Sequence, residues 1–192
     1  MDICFDTEFT GLHKDTTLIS IGLVNEYGES FYAEFNDYNK SQCEGNNFLE
    51  KEVIGNLFFN NTKSHFESNG FNVLMKGSKE EISDKLKLWL SRYDNIQFIS
   101  DVSHYDFVLL VDLLAGDALS LPKNISAVCH DINHDIAFYF NLTDQKAFDY
   151  NREEILTDYF EIPMIEMPKL KKHNSLYDAK IIQMIFNKIR MY

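Results

Sequence analysis

The sequence predicts an α/β protein built on a mixed sheet, with three antiparallel strands first, parallel strands after them, and helices on both faces. Three observations carry that expectation. The opening third holds short β-prone runs separated by turn signals. The middle alternates helical periodicity with short apolar runs, and the chain closes on a strongly amphipathic helix. Such alternation is how a sheet covered by helices reads along a chain.

The elements follow in order. Ile3–Phe9 is apolar and β-prone with acids set into it, and Leu-Ile-Ser-Ile-Gly-Leu-Val at 18–24 is a second strand. Asn25-Glu26-Tyr27-Gly28 marks a turn, and residues 30–35 alternate as a third strand. Ser78-Lys79-Glu80-Glu81 is a capping box, followed by Ile82, Leu86, Trp89 and Leu90 at one-face spacing, with Asn95 closing the helix. Residues 96–100 form a short apolar strand and 104–114 an apolar helix stopped by Gly116. A strand is expected at 125–129 and a short helix at 151–159. A final helix spans 175–189, with Ile181, Ile182, Ile185 and Ile189 on one face. The Asn-rich segment 39–75 matches no element and reads as a variable loop, with a gating insertion or a dimer arm as alternatives.

Composition narrows the function classes. At 192 residues, 45% hydrophobic and 25% charged, the chain fits one globular domain spanning 1–192 and excludes a disordered or low-complexity segment. No apolar run reaches the roughly 18 residues of a membrane helix. The opening Met1-Asp2-Ile3-Cys4 has no basic n-region of a secretory signal. Cys4, Cys43 and Cys129 are odd in number and match no disulfide or zinc spacing, so a reducing cytoplasmic setting is expected. A net charge of −12 argues against a non-specific duplex binder. An acidic protein can still act on phosphate esters if metal ions supply the positive charge.

Three places gather acids where an acid is costly. Asp6 and Glu8 are two apart on a strand and so share a face. Acid-x-acid triplets are common in this composition, but strand interiors disfavour Asp and buried charge needs a partner or a metal. Asp106 opens the helix after strand 96–100, at a strand's carboxyl end, where α/β sites form; Asp101 and Asp112 are its rivals. Asp178 falls on the apolar stripe of the last helix, five residues after His173. Five helical residues rotate by about 140° net, so these two converge only if His173 lies in the loop and Asn174 or Ser175 caps the helix. A histidine there is suited to take a proton from water.

These residues carry a resemblance. Asp6-Thr7-Glu8-Phe9-Thr10-Gly11-Leu12, Tyr105-Asp106 and His173-Asn174-Ser175-Leu176-Tyr177-Asp178 resemble the motifs of the DEDD-type 3′→5′ exonucleases, and the histidine five before the last aspartate resembles the h subtype. Leu18-Ile19-Ser20-Ile21-Gly22 resembles that family's second strand, and the short length its ribonuclease T-like and oligoribonuclease-like branches. The resemblance spans residues 6 to 179. It implies a ribonuclease H-like fold and two divalent cations, Mg²⁺ or Mn²⁺, held by Asp6, Glu8, Asp106 and Asp178, with His173 as general base. It further implies that Phe9, Thr10, Gly11 and Leu12 face the terminal nucleotide of a single-stranded 3′ end, RNA in preference to DNA. A homodimer is what related branches suggest. Lys171 and Lys172 depart from the pattern, where small residues are usual, and read as solvated surface, with a phosphate contact as the alternative.

Two rivals stand beside this reading. His130 and His134 are four apart, as in a helical zinc pair, but Asp131 stands where that motif needs Glu and no third ligand follows; the dipeptides His130-Asp131 and His134-Asp135 also resemble metal phosphohydrolases of the His-Asp type, which are all-helical against the strand-rich start here. The same fold could also serve as an inactive nucleic-acid-binding module.

Overall fold

The computed structural model describes residues 1–191. Seven strands form one mixed sheet: β1 (Asp2–Phe9), β2 (Leu18–Asn25), β3 (Ser30–Phe35), β4 (His65–Ser68), β5 (Val73–Gly77), β6 (Gln97–Ser100) and β7 (His130–Asp131). Their order is β4-β5-β3-β2-β1-β6-β7. β1, β2 and β3 pair antiparallel, while β6 joins β1 and β7 joins β6 in parallel. This is the mixed, helix-flanked sheet that the sequence predicts.

Among the described residues the α-helices are α1 (Lys79–Leu90), α2 (Ser103–Leu114), α3 (Ile132–Phe140), α4 (Asp144–Asp149), α5 (Arg152–Glu154), which continues as a π-helix over Ile155–Tyr159, and α6 (Ser175–Arg190). The alternation of β1 sorts them into two layers. Ile3 and Phe5 pack with Ile82, Leu86, Leu110 and Leu113 of α1 and α2. Cys4 faces the other way, onto Ile132, Ile136, Ile181, Ile182 and Ile185 of α3 and α6. Phe5 is fully buried and meets Phe98 edge-on with ring centroids 5.4 Å apart. Truncating such a ring costs about 3–5 kcal/mol. The capping box forms as the sequence requires: Ser78 Oγ accepts the Glu81 N–H, and Glu81 Oε2 accepts the Ser78 N–H.

Two expectations need correction. The segment 39–75 is not a structureless loop. It holds three short helical turns, the strand β4 and the start of β5, and Cys43, Leu49, Val53 and Leu57 make a small core with Ile19. β5 pairs parallel with β3 and extends the sheet beyond the first three strands. The strand expected at 125–129 is displaced: Ile125 makes a single bridge to Ile96, and the ladder proper runs through His130 and Asp131. No helix among the described residues is long and apolar enough to cross a membrane.

Candidate active site

β1 lies between antiparallel β2 and parallel β6, so its carboxyl end opens beside that of β6. Asp6 and Glu8 point from there toward the α6 layer. On β2, Gly22 is the register partner of Asp6. A Cβ on Gly22 would fall 2.3–2.4 Å from the backbone of Ser175 and Leu176, so only glycine lets the start of α6 lie this close. Ser20 Oγ and Ser175 Oγ, 3.0 Å apart, pin the same contact. This seat brings Asp178 beside Glu8.

His173 precedes the helix in the left-handed region (φ 63°), and Asn174 caps α6 by accepting the Leu176 and Tyr177 N–H groups. That places His173 in the loop, the condition for it to converge with Asp178. Its N–H donates to Asp178 Oδ2 at 2.8 Å. Ligand atoms of Glu8, His173 and Asp178 lie within 4.8 Å of one another, and so do those of Asp6, Asp101 and Asp106. Asp106, 1% exposed, accepts the Thr7 hydroxyl on one oxygen and the Ser100 hydroxyl on the other, each at 2.6 Å. All five residues of the expected site therefore open on one cavity of about 610 Å³, or edge it.

The electrostatics are those of carboxylates without enough counter-charge. Burial, then the charges of Asp106, Asp178 and Glu8, push Asp6 well above the usual carboxylate range. Burial and Asp178 do the same to Glu8. Burial raises Asp106 to about 7 against the lowering effect of its two hydroxyl donors. Asp178 also rises to about 7, through burial and then Asp101. Asp6 Oδ2 is buried with no hydrogen-bond partner among the described residues. An orphaned carboxylate oxygen is costly. The donor set is carboxylate oxygen, the chemistry that hard divalent cations prefer, with the His173 imidazole beside it. The residues present fit such a cation.

His173 behaves differently. Burial, then the neighbouring Lys172, hold its imidazole below the usual histidine value, so it is neutral at pH 7. The Phe48 ring stands edge-on to it at 4.8 Å. Asn56 Nδ2 donates to the Lys172 carbonyl, and Asn174 Nδ2 to the Asn56 carbonyl and the Tyr32 hydroxyl. The segment 39–75 thus braces the His173 loop, a role with no local sequence signal.

The expected nucleotide contacts divide. Phe9 and Leu12 line the cavity. Thr10 does not: it is 3% exposed, donates its hydroxyl to Gln42 Oε1 and accepts the Thr17 N–H. The Gly11 N–H is likewise spent on Thr16 Oγ1. These two residues brace the β1–β2 loop rather than face the cavity. Lys171 and Lys172 are both exposed, and Lys172 stands at the cavity rim.

The structure also places the rival residues. His130 pairs with Asp135 at 2.7 Å, while exposed His134 lies 3.7 Å from Asp144. Neither joins a group of three ligands among the described residues. Asp112 is exposed and paired with Lys79. Asp101, the other rival, does enter the acid cluster, together with an unexpected cation, Arg152. In comparisons with known proteins, no family model and no curated protein matches the chain.

Proposed function

We propose that this protein is a metal-dependent 3′→5′ exonuclease that hydrolyses single-stranded ends, RNA in preference to DNA, to nucleoside 5′-monophosphates. The observation that carries the reading is convergence. Asp6, Glu8, Asp106, His173 and Asp178 come from three separate elements and the loop before α6, and meet at one cavity. The resemblance of their motifs to the DEDD-type exonucleases of the h subtype supports the same reading.

Asp6, Glu8, Asp106 and Asp178 would hold one or two divalent cations, which when bound supply positive charge to the phosphodiester being cleaved. The protein's own groups do the rest. His173, neutral and half-buried at the cavity, accepts a proton from the attacking water. Its left-handed backbone and its N–H to Asp178 fix where the ring sits. Phe9 and Leu12 offer apolar surface to the terminal base or sugar, and Lys172 at the rim offers a cation to the next phosphate. RNA preference rests on the resemblance.

The test is a time course on 5′-labelled single-stranded RNA and its DNA counterpart, with Mn²⁺ and with EDTA. The expected result is a ladder shortening from the 3′ end only with metal, faster on RNA. Folded protein that degrades neither strand would overturn the proposal.

A further inference from the structure

Asp101 stands just past β6, in the same cavity as the four carboxylates assigned above, with an oxygen within 4.8 Å of oxygens of Asp6 and Asp106. Its surroundings set it apart. Asp101 Oδ2 accepts Arg152 Nε–H at 3.0 Å, and both side chains are more than four-fifths buried.

Arg152 is itself engaged through four of its five N–H groups. Nη1 donates to the carbonyls of Ala147 and Tyr150, and Nη2 to Asn133 Oδ1 at 2.6 Å. Asn133 turns back on the same residue, its Nδ2 donating to the Asp101 carbonyl at 2.6 Å and to Asp131 Oδ1. Asp101 is therefore gripped at its main chain by α3 and at its side chain by α5. With four bonds to protein acceptors, this guanidinium has no fork left for a substrate phosphate. A cation placed only to relieve crowding would sit among the most crowded acids. Arg152 engages one carboxylate and fixes its direction, as outer partners of metal ligands do.

We propose that Asp101 is a fifth carboxylate of the cation site and that Arg152, seated by Asn133, is the positioning residue that holds it there. This rests on the metal-dependent reading of the site. It also accounts for the first aspartate of the His130-Asp131…His134-Asp135 pattern. Asp131 caps α3 through the Asn133 N–H, holds the Asn133 amide and accepts the Ser103 hydroxyl, so it serves the clamp.

The experiment is a calorimetric Mn²⁺ titration of the full chain, at a temperature well below each variant's Tm. It compares wild type with Asp101→Asn, Arg152→Met and Arg152→Lys. Asp101→Asn and Arg152→Met are each expected to weaken Mn²⁺ binding about tenfold or more, and Arg152→Lys to recover part of the loss. A purely structural role would lower Tm and leave the Kd of the folded protein unchanged. Wild-type affinity in Asp101→Asn, or tighter binding in Arg152→Met, would overturn the inference. If Arg152→Met does not fold, Asp101→Asn still decides, because it keeps an acceptor for Nε–H. Wild-type protein that binds no Mn²⁺ would remove the metal-dependent reading itself, an outcome distinct from variants that match a competent wild type.

Discussion

Gly22 of β2 and Ser175 of α6 touch backbone to backbone: a methyl group on Gly22 would sit 2.4 Å from the Ser175 carbonyl oxygen. Because Gly22 faces Asp6 across the ladder, the same contact sets the distance between the acids of β1 and of α6. Gly22→Ala must push the helix outward. We expect a loss of about 1–3 kcal/mol in urea unfolding. Activity should fall by about 100-fold, the cost of an ångström of misplacement. A variant as stable and active as wild type would refute the seat.

Asp6 carries the repulsion of its neighbouring acids, and its Oδ2 has no donor among the described residues. Asp6→Asn removes one charge from the cluster, so the metal-free protein should gain about 1 kcal/mol of stability while losing hydrolysis. Thermal melts with and without Mn²⁺ test this. The wild type should gain Tm with the metal, and Asp6→Asn should start higher and gain little.

The pH dependence follows from the same crowding. Asp106 and Asp178 titrate near 7 when folded and near 4 when unfolded, so between those values the folded state binds more protons. The stability they contribute is present below about pH 4 and is lost as pH rises toward 7. Metal-free protein should lose Tm across that window, and Mn²⁺ should raise Tm more at pH 8 than at pH 5. A metal increment independent of pH would contradict the carboxylate assignments.

His173→Ala should keep Mn²⁺ affinity within a few-fold and lose about 10²–10⁴ in kcat, the usual share of a general base. In the wild type the acid limb of the pH–rate profile should fall below the ordinary histidine value, since burial disfavours the imidazolium. An unchanged rate in the variant would remove the role.

Phe48 reaches the same ring from a turn more than a hundred residues upstream. Phe48→Ala frees the imidazole to rotate, so kcat should drop several-fold while Mn²⁺ binding holds. Equal kcat in both proteins would show that the loop is fixed by Asn56 and Asn174 alone.

The acids of β1 were legible because strand periodicity puts positions 6 and 8 on one face, and Asp178 because it interrupts an apolar stripe. The α1 cap was legible because its two bonds are local. Arg152 was not: its partners Asp101 and Asn133 are 51 and 19 residues away, and Asn-Arg-Glu-Glu has no pattern that reveals a buried cation. β5 was missed because its support is the parallel ladder to β3, some forty residues earlier. Thr10 and Gly11 misled for a related reason. The resemblance carried their place in the motif, but the hydrogen bonds of the β1–β2 loop decide where they point.

The seat of α6 on β2 also bears on how the molecule comes into being. Ser20 and Ser175 meet across 155 positions, so the contact closes only after the intervening residues and α6 have left the ribosome. Until then β1 and β2 lack the cover of α6, with Cys4 and Val24 missing Ile181, Ile182 and Ile185. A nascent chain therefore lacks the assembled candidate site and is sticky at the same face. Deletions that remove α6 should yield aggregates rather than a loosened but soluble fold.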